Sequence, residues 1–187
     1  MGVNRPLKSA VVVVDAQVGV LSQCWNFAEV TENIACLVER ARHQGVPVVW
    51  VQHASDALVL QSPDWQLMAP LVPDEGEVMI QKRFNSAFEK TGLNDALMHL
   101  GVDHIVLAGA QTNWCIRSTA YAALERGYNL TLIENAHTTE PIKLGEGRTI
   151  DAEQIVQELN VVVAYLSYPD RASATARAER VDFAGVS

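Results

Sequence analysis

An aspartate, a lysine and a cysteine each follow an apolar run: VVVVD ends at Asp15, VMIQK ends at Lys82, and HIVLAGAQTNWC ends at Cys115. A carboxylate, an ammonium and a thiol gathered at one place are the parts of nucleophilic catalysis. A free thiol, with a pKa near ~8.5, is only slightly ionised at neutral pH. Lys82 beside Cys115 would favour the thiolate, and the first turn of a helix would add the positive end of its dipole. Asp15 could take the thiol proton and return it to a leaving group. The turn before Cys115 offers backbone N–H groups to a developing oxyanion. Each residue also has a plainer reading. An aspartate after a strand is often the first polar residue of a loop. Lys82 alone reads as a surface charge or as a structural partner of Asp15. Cys115 alone reads as a small core residue, the reading given to Cys36 and, with less support, to Cys24 in its loop.

The elements that must bring the three together alternate along the chain. Nearly unbroken β-branched or apolar runs predict strands at 10–15, 46–53, 77–82, 104–109, 129–134 and 161–166. Helical spacing predicts helices over 30–44 and 115–126. Another runs from a Thr91 cap to Leu100, and a capping box of Asp151 and Gln154 opens the last, ahead of Ile155, Val156 and Leu159. The stretches 16–29, 54–76 and 135–150 read as long loops, and residues 167–187 as a loosely attached tail. The expectation is an α/β chain: one three-layer domain over 1–187, with helices on both faces of a mostly parallel six-stranded sheet. Such sheets bind ligands at the carboxyl ends of their strands. Asp15, His53 and Lys82 end strands there, and Cys115 follows one by a short turn.

The formal net charge of -8, with no basic stripe to offset it, argues against nucleic acid or an anionic membrane as partner. No apolar run approaches the ~20 residues of a membrane span. MGVNRPLKSAVVVVDAQ lacks the long apolar region of a signal peptide, and Pro6 stands where a myristoylation signal wants Ser or Thr. Three cysteines without framework spacing suggest reduced thiols and a cytoplasmic home. His53, after a strand, is a candidate metal ligand. The loop after it supplies Asp56 and Asp64 but no histidine, so neither a metal nor a cofactor is expected. No phosphate-binding glycine motif and no G-x-S-x-G is present.

Taken together, VVVVDAQ, VVWVQH, VMIQKRFNSAFEKTGL, VLAGAQTNWCIRSTAYAALERGY and LIENAHTT resemble the isochorismatase-like cysteine hydrolases, which include nicotinamidases, carbamoylases and streptothricin hydrolases. The likeness spans roughly residues 9 to 166. It implies that fold, and implies roles for residues. Asp15 matches the acid–base aspartate, Lys82 the lysine of a K-x-x-x-S-A-F segment, and Cys115 the nucleophile. It also implies a cis peptide at Ala110–Gln111 and an oxyanion hole built from the amides of Gln111 and Cys115. Nicotinamidases carry an Asp-x-His and a further histidine for a metal. This chain has Gln52-His53 and no second histidine, which argues against nicotinamidase activity and a metal, while QTNWC and DAEQIVQELN are most similar to the amidase-like branch.

The expected function is therefore a metal-independent cysteine hydrolase that cleaves a C–N bond of a small amide, carbamoyl or cyclic imide compound through a thioester. Trp25, Trp65 and Trp114 fall in loops on the same edge, where they wall a pocket or simply pack the loops. Gln17 and Asn113 are candidate polar contacts to substrate. Two other readings stand beside this one. One is vinyl ether hydrolysis by Asp15 and Lys82 with Cys115 as bystander. The other is a non-enzymatic thiol or redox protein. The partner expected is a small molecule, and the resemblance implies a homo-oligomer, dimer or tetramer.

Overall fold

The computed structural model describes residues 7–185. The MGVNRP segment, which bears on leader and lipid signals, and the last two residues of the tail lie outside the described residues. Six strands form one sheet in which every neighbouring pair runs parallel. They are β1 (Ser9–Val14), β2 (Val48–His53), β3 (Val78–Lys82), β4 (His104–Ala110), β5 (Asn129–Thr138) and, numbered eighth in chain order, β8 (Ser173–Ala176). Their spatial order is β3-β2-β1-β4-β5-β8. The chain winds outward from β1 to β3, then restarts at β4 on the other side of β1. The crevice between β1 and β4 is thus the topological switch point, where open parallel sheets take their ligands.

The sequence alternation explains the layers. Val11 and Val13 point to one face and Val12 and Val14 to the other, and all four are fully buried or nearly so. The first face is covered by α2 (Phe27–His43) through Ile34, Leu37 and Val38, with Leu21 of the short α1 (Val18–Leu21). The second is covered by α3 (Leu93–His99), α4 (Arg117–Glu125) and α5 (Ala152–Tyr165). A small antiparallel hairpin, β6 (Ile142–Gly145) with β7 (Arg148–Ile150), stands apart in the segment expected to be a loop.

Two expectations are corrected. Residues 161–166 are not the sixth strand, because α5 runs through Tyr165. Leu159 and Val163, one helical turn apart, face the core, while Val161 and Tyr165 are exposed. An apolar run without polar alternation suits a buried strand and an over-apolar helix equally. The tail is not loose. Its residues 173–176 are the sixth strand, paired with β5, and Ala178, Val181 and Phe183 are buried against α2. Arg40 ties it down, donating to the carbonyls of Ala178 (2.5 Å) and Val181 (3.1 Å). The strand SATA has only small and hydroxyl side chains, so it carries no apolar signal. Smaller differences concern ends: Gly92 rather than Thr91 precedes α3, and β5 continues to Thr138.

Candidate active site

β1 delivers Asp15 with its backbone in the left-handed region (φ 51°), a conformation that aspartate tolerates better than most residues. Neighbouring β4 makes room for this end of β1. Gly109 has φ 122°, and a Cβ there would lie 1.9 Å from the Val14 carbonyl oxygen, so the two strands meet closely only because residue 109 has no side chain. The Ala110–Gln111 peptide is cis. After it, Thr112–Ile116 forms a π-helical turn ahead of α4, with the Trp114 and Ile116 amides both donating to the Gln111 carbonyl at 3.1 Å. That turn carries Cys115.

His137 of β5 anchors this turn. Its Nδ1 lies 2.9 Å from Thr112 Oγ1 and its Nε2 2.8 Å from Asn160 Oδ1 of α5. Asn160 Nδ2 donates to the Glu134 carbonyl at 3.1 Å, which leaves Oδ1 as the acceptor. His137 therefore carries a proton on Nε2, and since burial lowers its pKa to about 4 it is neutral, with Thr112 donating to Nδ1.

Lys82 binds the site together. Its buried Nζ is 2.6 Å from Asp15 Oδ2, 3.2 Å from Cys115 Sγ, 3.3 Å from His53 Nδ1 and 3.2 Å from the Phe84 carbonyl oxygen. The other Asp15 oxygen, Oδ1, is buried and has no partner of hydrogen-bonding geometry. It is the acceptor left for the thiol proton. Burial pushes the Asp15 carboxyl above the usual carboxylate range, with Lys82 pulling the other way. Burial also pushes the Cys115 thiol up to about 12. The Asp15 charge adds to this and Lys82 opposes it. Lys82 thus favours the Cys115 thiolate, as expected, while burial and the neighbouring Asp15 carboxylate work against it. His53 is held below its usual range by burial and then by Lys82.

Asp15, Cys115 and His53 line a cleft of about 350 Å³, together with Gln111, Trp114 and Asp64. Three further hollows, among the described residues, hold no two of Asp15, Lys82 and Cys115. Gln111, expected in the oxyanion hole, borders the cleft; of the candidate substrate contacts, Trp114 borders it, and Gln17, Trp25, Trp65 and Asn113 do not. Gln17 is wholly buried as a strut, giving its amide protons to the carbonyls of His53 (3.0 Å) and Trp65 (2.8 Å) and accepting from the His53 amide (2.8 Å). Asn113 Oδ1 accepts from Thr139 Oγ1 at 2.6 Å. Trp65 buries its indole N–H without a partner, and Trp25 is exposed, its amide donating to the Thr139 carbonyl at 2.9 Å. Sequence reading misses Gly109, whose need is a backbone fact, and His137, which has no neighbouring signal. It finds Asp64 only as a failed metal partner.

Among the described residues, no group of three or more His, Cys, Asp or Glu is placed to hold a metal ion, and all three thiols are free. No helix among them is long and apolar enough to cross a membrane.

Comparison with known proteins places the chain as a whole. The isochorismatase domain model matches residues 9–162. A streptothricin hydrolase of Streptomyces noursei is 30% identical over 149 residues, which is 76% of this chain and 59% of that protein. The ureidoacrylate amidohydrolase of Methylobacterium radiotolerans is 28% identical over 183 residues, covering 79% of this chain and 71% of its own length. A crystal structure of an isochorismatase from Pseudomonas putida KT2440 superposes with a TM-score of 0.81 at 29% identity, over 95% of this chain and 92% of that one. The chain spans only 59% and 50% of the two streptothricin hydrolases it matches.

Proposed function

The chain belongs to the isochorismatase family, and from that premise we propose that residues 7–185 act as one hydrolase domain that cleaves the C–N bond of a small amide, carbamoyl or cyclic imide compound through a Cys115 thioester. The observation that carries this reading is the Lys82 ammonium, 2.6 Å from Asp15 and 3.2 Å from Cys115, under the floor of one cleft. The amidohydrolase relatives support the bond type. Asp15 takes the thiol proton as sulfur attacks the carbonyl carbon. Lys82 keeps the carboxylate and the emerging thiolate aligned, since a buried charge without a partner would be costly. The amides of Gln111 and Cys115 receive the oxyanion. Asp15 then gives its proton to the departing amine. Water, losing a proton to Asp15, attacks the thioester, releases the carboxylic acid and restores the thiol.

The raised thiol pKa fits this sequence, because proton transfer to Asp15 accompanies attack instead of preceding it. No metal enters the scheme: His53 turns Nδ1 to the Lys82 ammonium, which repels a second cation there. Reduced thiols suit the cytoplasm, the compartment we assign. We also assign a homo-oligomer, on the resemblance alone.

The raised Asp15 pKa favours a second reading, vinyl ether hydrolysis with Asp15 as the acid. One experiment separates the two. Ammonia or amine release from a panel of amides, carbamoyl compounds and cyclic imides is expected to vanish in Cys115→Ala and to survive a chelator. Isochorismate turnover retained by Cys115→Ala would establish the ether reading instead.

A further inference from the structure

The cleft has an uneven charge. Its lining holds two carboxylates, Asp15 and Asp64, and no lysine or arginine among the described residues. Lys82 lies beneath with its ammonium already shared among Asp15, Cys115, His53 and the Phe84 carbonyl. His53 is pushed below its usual range by burial and then by Lys82. Asp15 is balanced by Lys82. Asp64 is balanced by nothing: no described residue forms an ion pair or hydrogen bond with it, whereas Glu77, Glu158 and Glu179 each have an arginine.

Asp64 is also firmly placed. It sits in the 3-10 turn Pro63–Trp65, capped by the Ser62 hydroxyl at the Trp65 amide. Gly19 of α1 lies directly under it: a Cβ there would be 2.9 Å from Asp64 Cβ and 2.9 Å from Leu58 Cδ1. The loop thus closes onto α1 only over a glycine, and it brings a free carboxylate to the wall of the cleft. A second feature points the same way. Trp114, beside the nucleophile, borders the cleft with 52% of its surface open. The face of an indole attracts cations. At the rim, Glu140 accepts from the Gln111 side-chain amide at 2.9 Å and adds negative charge.

We propose that the cleft selects substrates whose non-reacting end is cationic, an ammonium or amidinium group held between Asp64 and Trp114, and disfavours those ending in a carboxylate. This rests on the hydrolase reading for what happens at Cys115, but the binding preference is separable from it. A carboxylate-ended amide would meet Asp64 with no counter-charge. A cation would gain an ion pair at a partly open site and the indole face, together worth about tenfold in affinity. The overall charge of -8 steers cations in the same sense.

Three amides of equal length test it: gamma-aminobutyramide, pentanamide and glutaramate. Calorimetry on Cys115→Ala reads binding without turnover. The aminobutyramide is expected to bind about tenfold more tightly than glutaramate, with pentanamide between them. Asp64→Asn is expected to shrink that gap about fivefold, as is added salt, and Trp114→Ala to shrink it less. Equal affinities, a preference for glutaramate, no binding of any of the three, or a ranking indifferent to Asp64 each overturn the proposal. Turnover by the unmodified protein is read in parallel. If the binding ranking holds and none of the amides is cleaved in a Cys115-dependent way, the cation site stands and the amidase reading falls.

Discussion

Asp15, Lys82 and Cys115 meet in the structure, and their chemistry differs from that of the same groups in water. Lys82 and Asp15 are both buried, so each depends on the other. Removing one partner of a buried pair leaves an unpaired charge and is expected to cost about 3–5 kcal/mol. Lys82→Met should therefore unfold more readily than the unmodified chain and lose turnover. The cost depends on pH in a defined direction. Asp15 already sits above its ordinary value through burial, and the loss of Lys82 raises it further. A carboxyl that binds its proton more tightly in the fold adds stability in full below its unfolded value, near ~3.9, and that stability is lost as pH rises through the folded value. The deficit of Lys82→Met, measured by urea unfolding, is thus largest at neutral pH and shrinks toward pH ~4. A deficit constant across that range would mean that Asp15 is not the group left stranded. Strand-end position makes these three residues legible in the sequence. The direction in which the Cys115 pKa moves is not legible there, because it is set by how deeply the thiol is buried and by a carboxylate that neighbours it only after folding.

Five of the six strands follow from apolar runs with their boundaries close to those expected, because a strand buried on both faces has little choice of residues. The sixth lies elsewhere for a reason that belongs to the element. VVVAYL satisfies the pattern of a buried strand, yet in α5 it exposes Val161 and Tyr165 and buries only Val163 fully. SATA forms the edge strand because β5 offers a free edge and the segment after it carries anchors, chiefly Phe183. Ser9 Oγ donates to the Phe183 carbonyl at 2.5 Å, and the Arg40 guanidinium lies 5.9 Å from its ring centre. These contacts predict a contrast. Phe183→Ala should destabilise by about 3–5 kcal/mol, as for other buried aromatics. Tyr165→Ala, 84% exposed, should change stability by less than about 0.5 kcal/mol. Urea midpoints of the two variants decide it. A small effect at Phe183 and a large one at Tyr165 would restore the strand at 161–166 and the loose tail.

At the scale of the whole molecule, two neutral histidines join parts that are distant in sequence. His104 lies 2.7 Å by Nδ1 from Ser9 Oγ of β1 and 2.9 Å by Nε2 from Thr131 Oγ1 of β5, and through Ser9 it reaches the tail. His137 joins β5, the Cys115 turn and α5. Burial lowers each from 6.5 to about 4. A histidine kept neutral in the fold but free to protonate when unfolded makes the unfolded chain the better proton binder. Stability is therefore complete above pH 6.5, falls as pH drops, and the loss from this source levels off below pH 4. At ~1.4 kcal/mol for each tenfold change in proton affinity, the pair removes about 5 kcal/mol between pH 7 and pH 4.5, a large part of an ordinary domain's stability. Because one of the two holds the turn under Cys115, thiol protection from alkylation should fail with unfolding in the same window. Urea unfolding across that window, compared between the unmodified chain and His104→Gln/His137→Gln, isolates the effect from the carboxylates. The double variant is expected to take up about two fewer protons on unfolding, seen as a shallower pH slope. An unchanged slope would mean that the two imidazoles are already protonated in the fold, and Thr112 would then accept from His137 Nδ1 instead of donating to it, while Asn160 Oδ1 would still accept from Nε2.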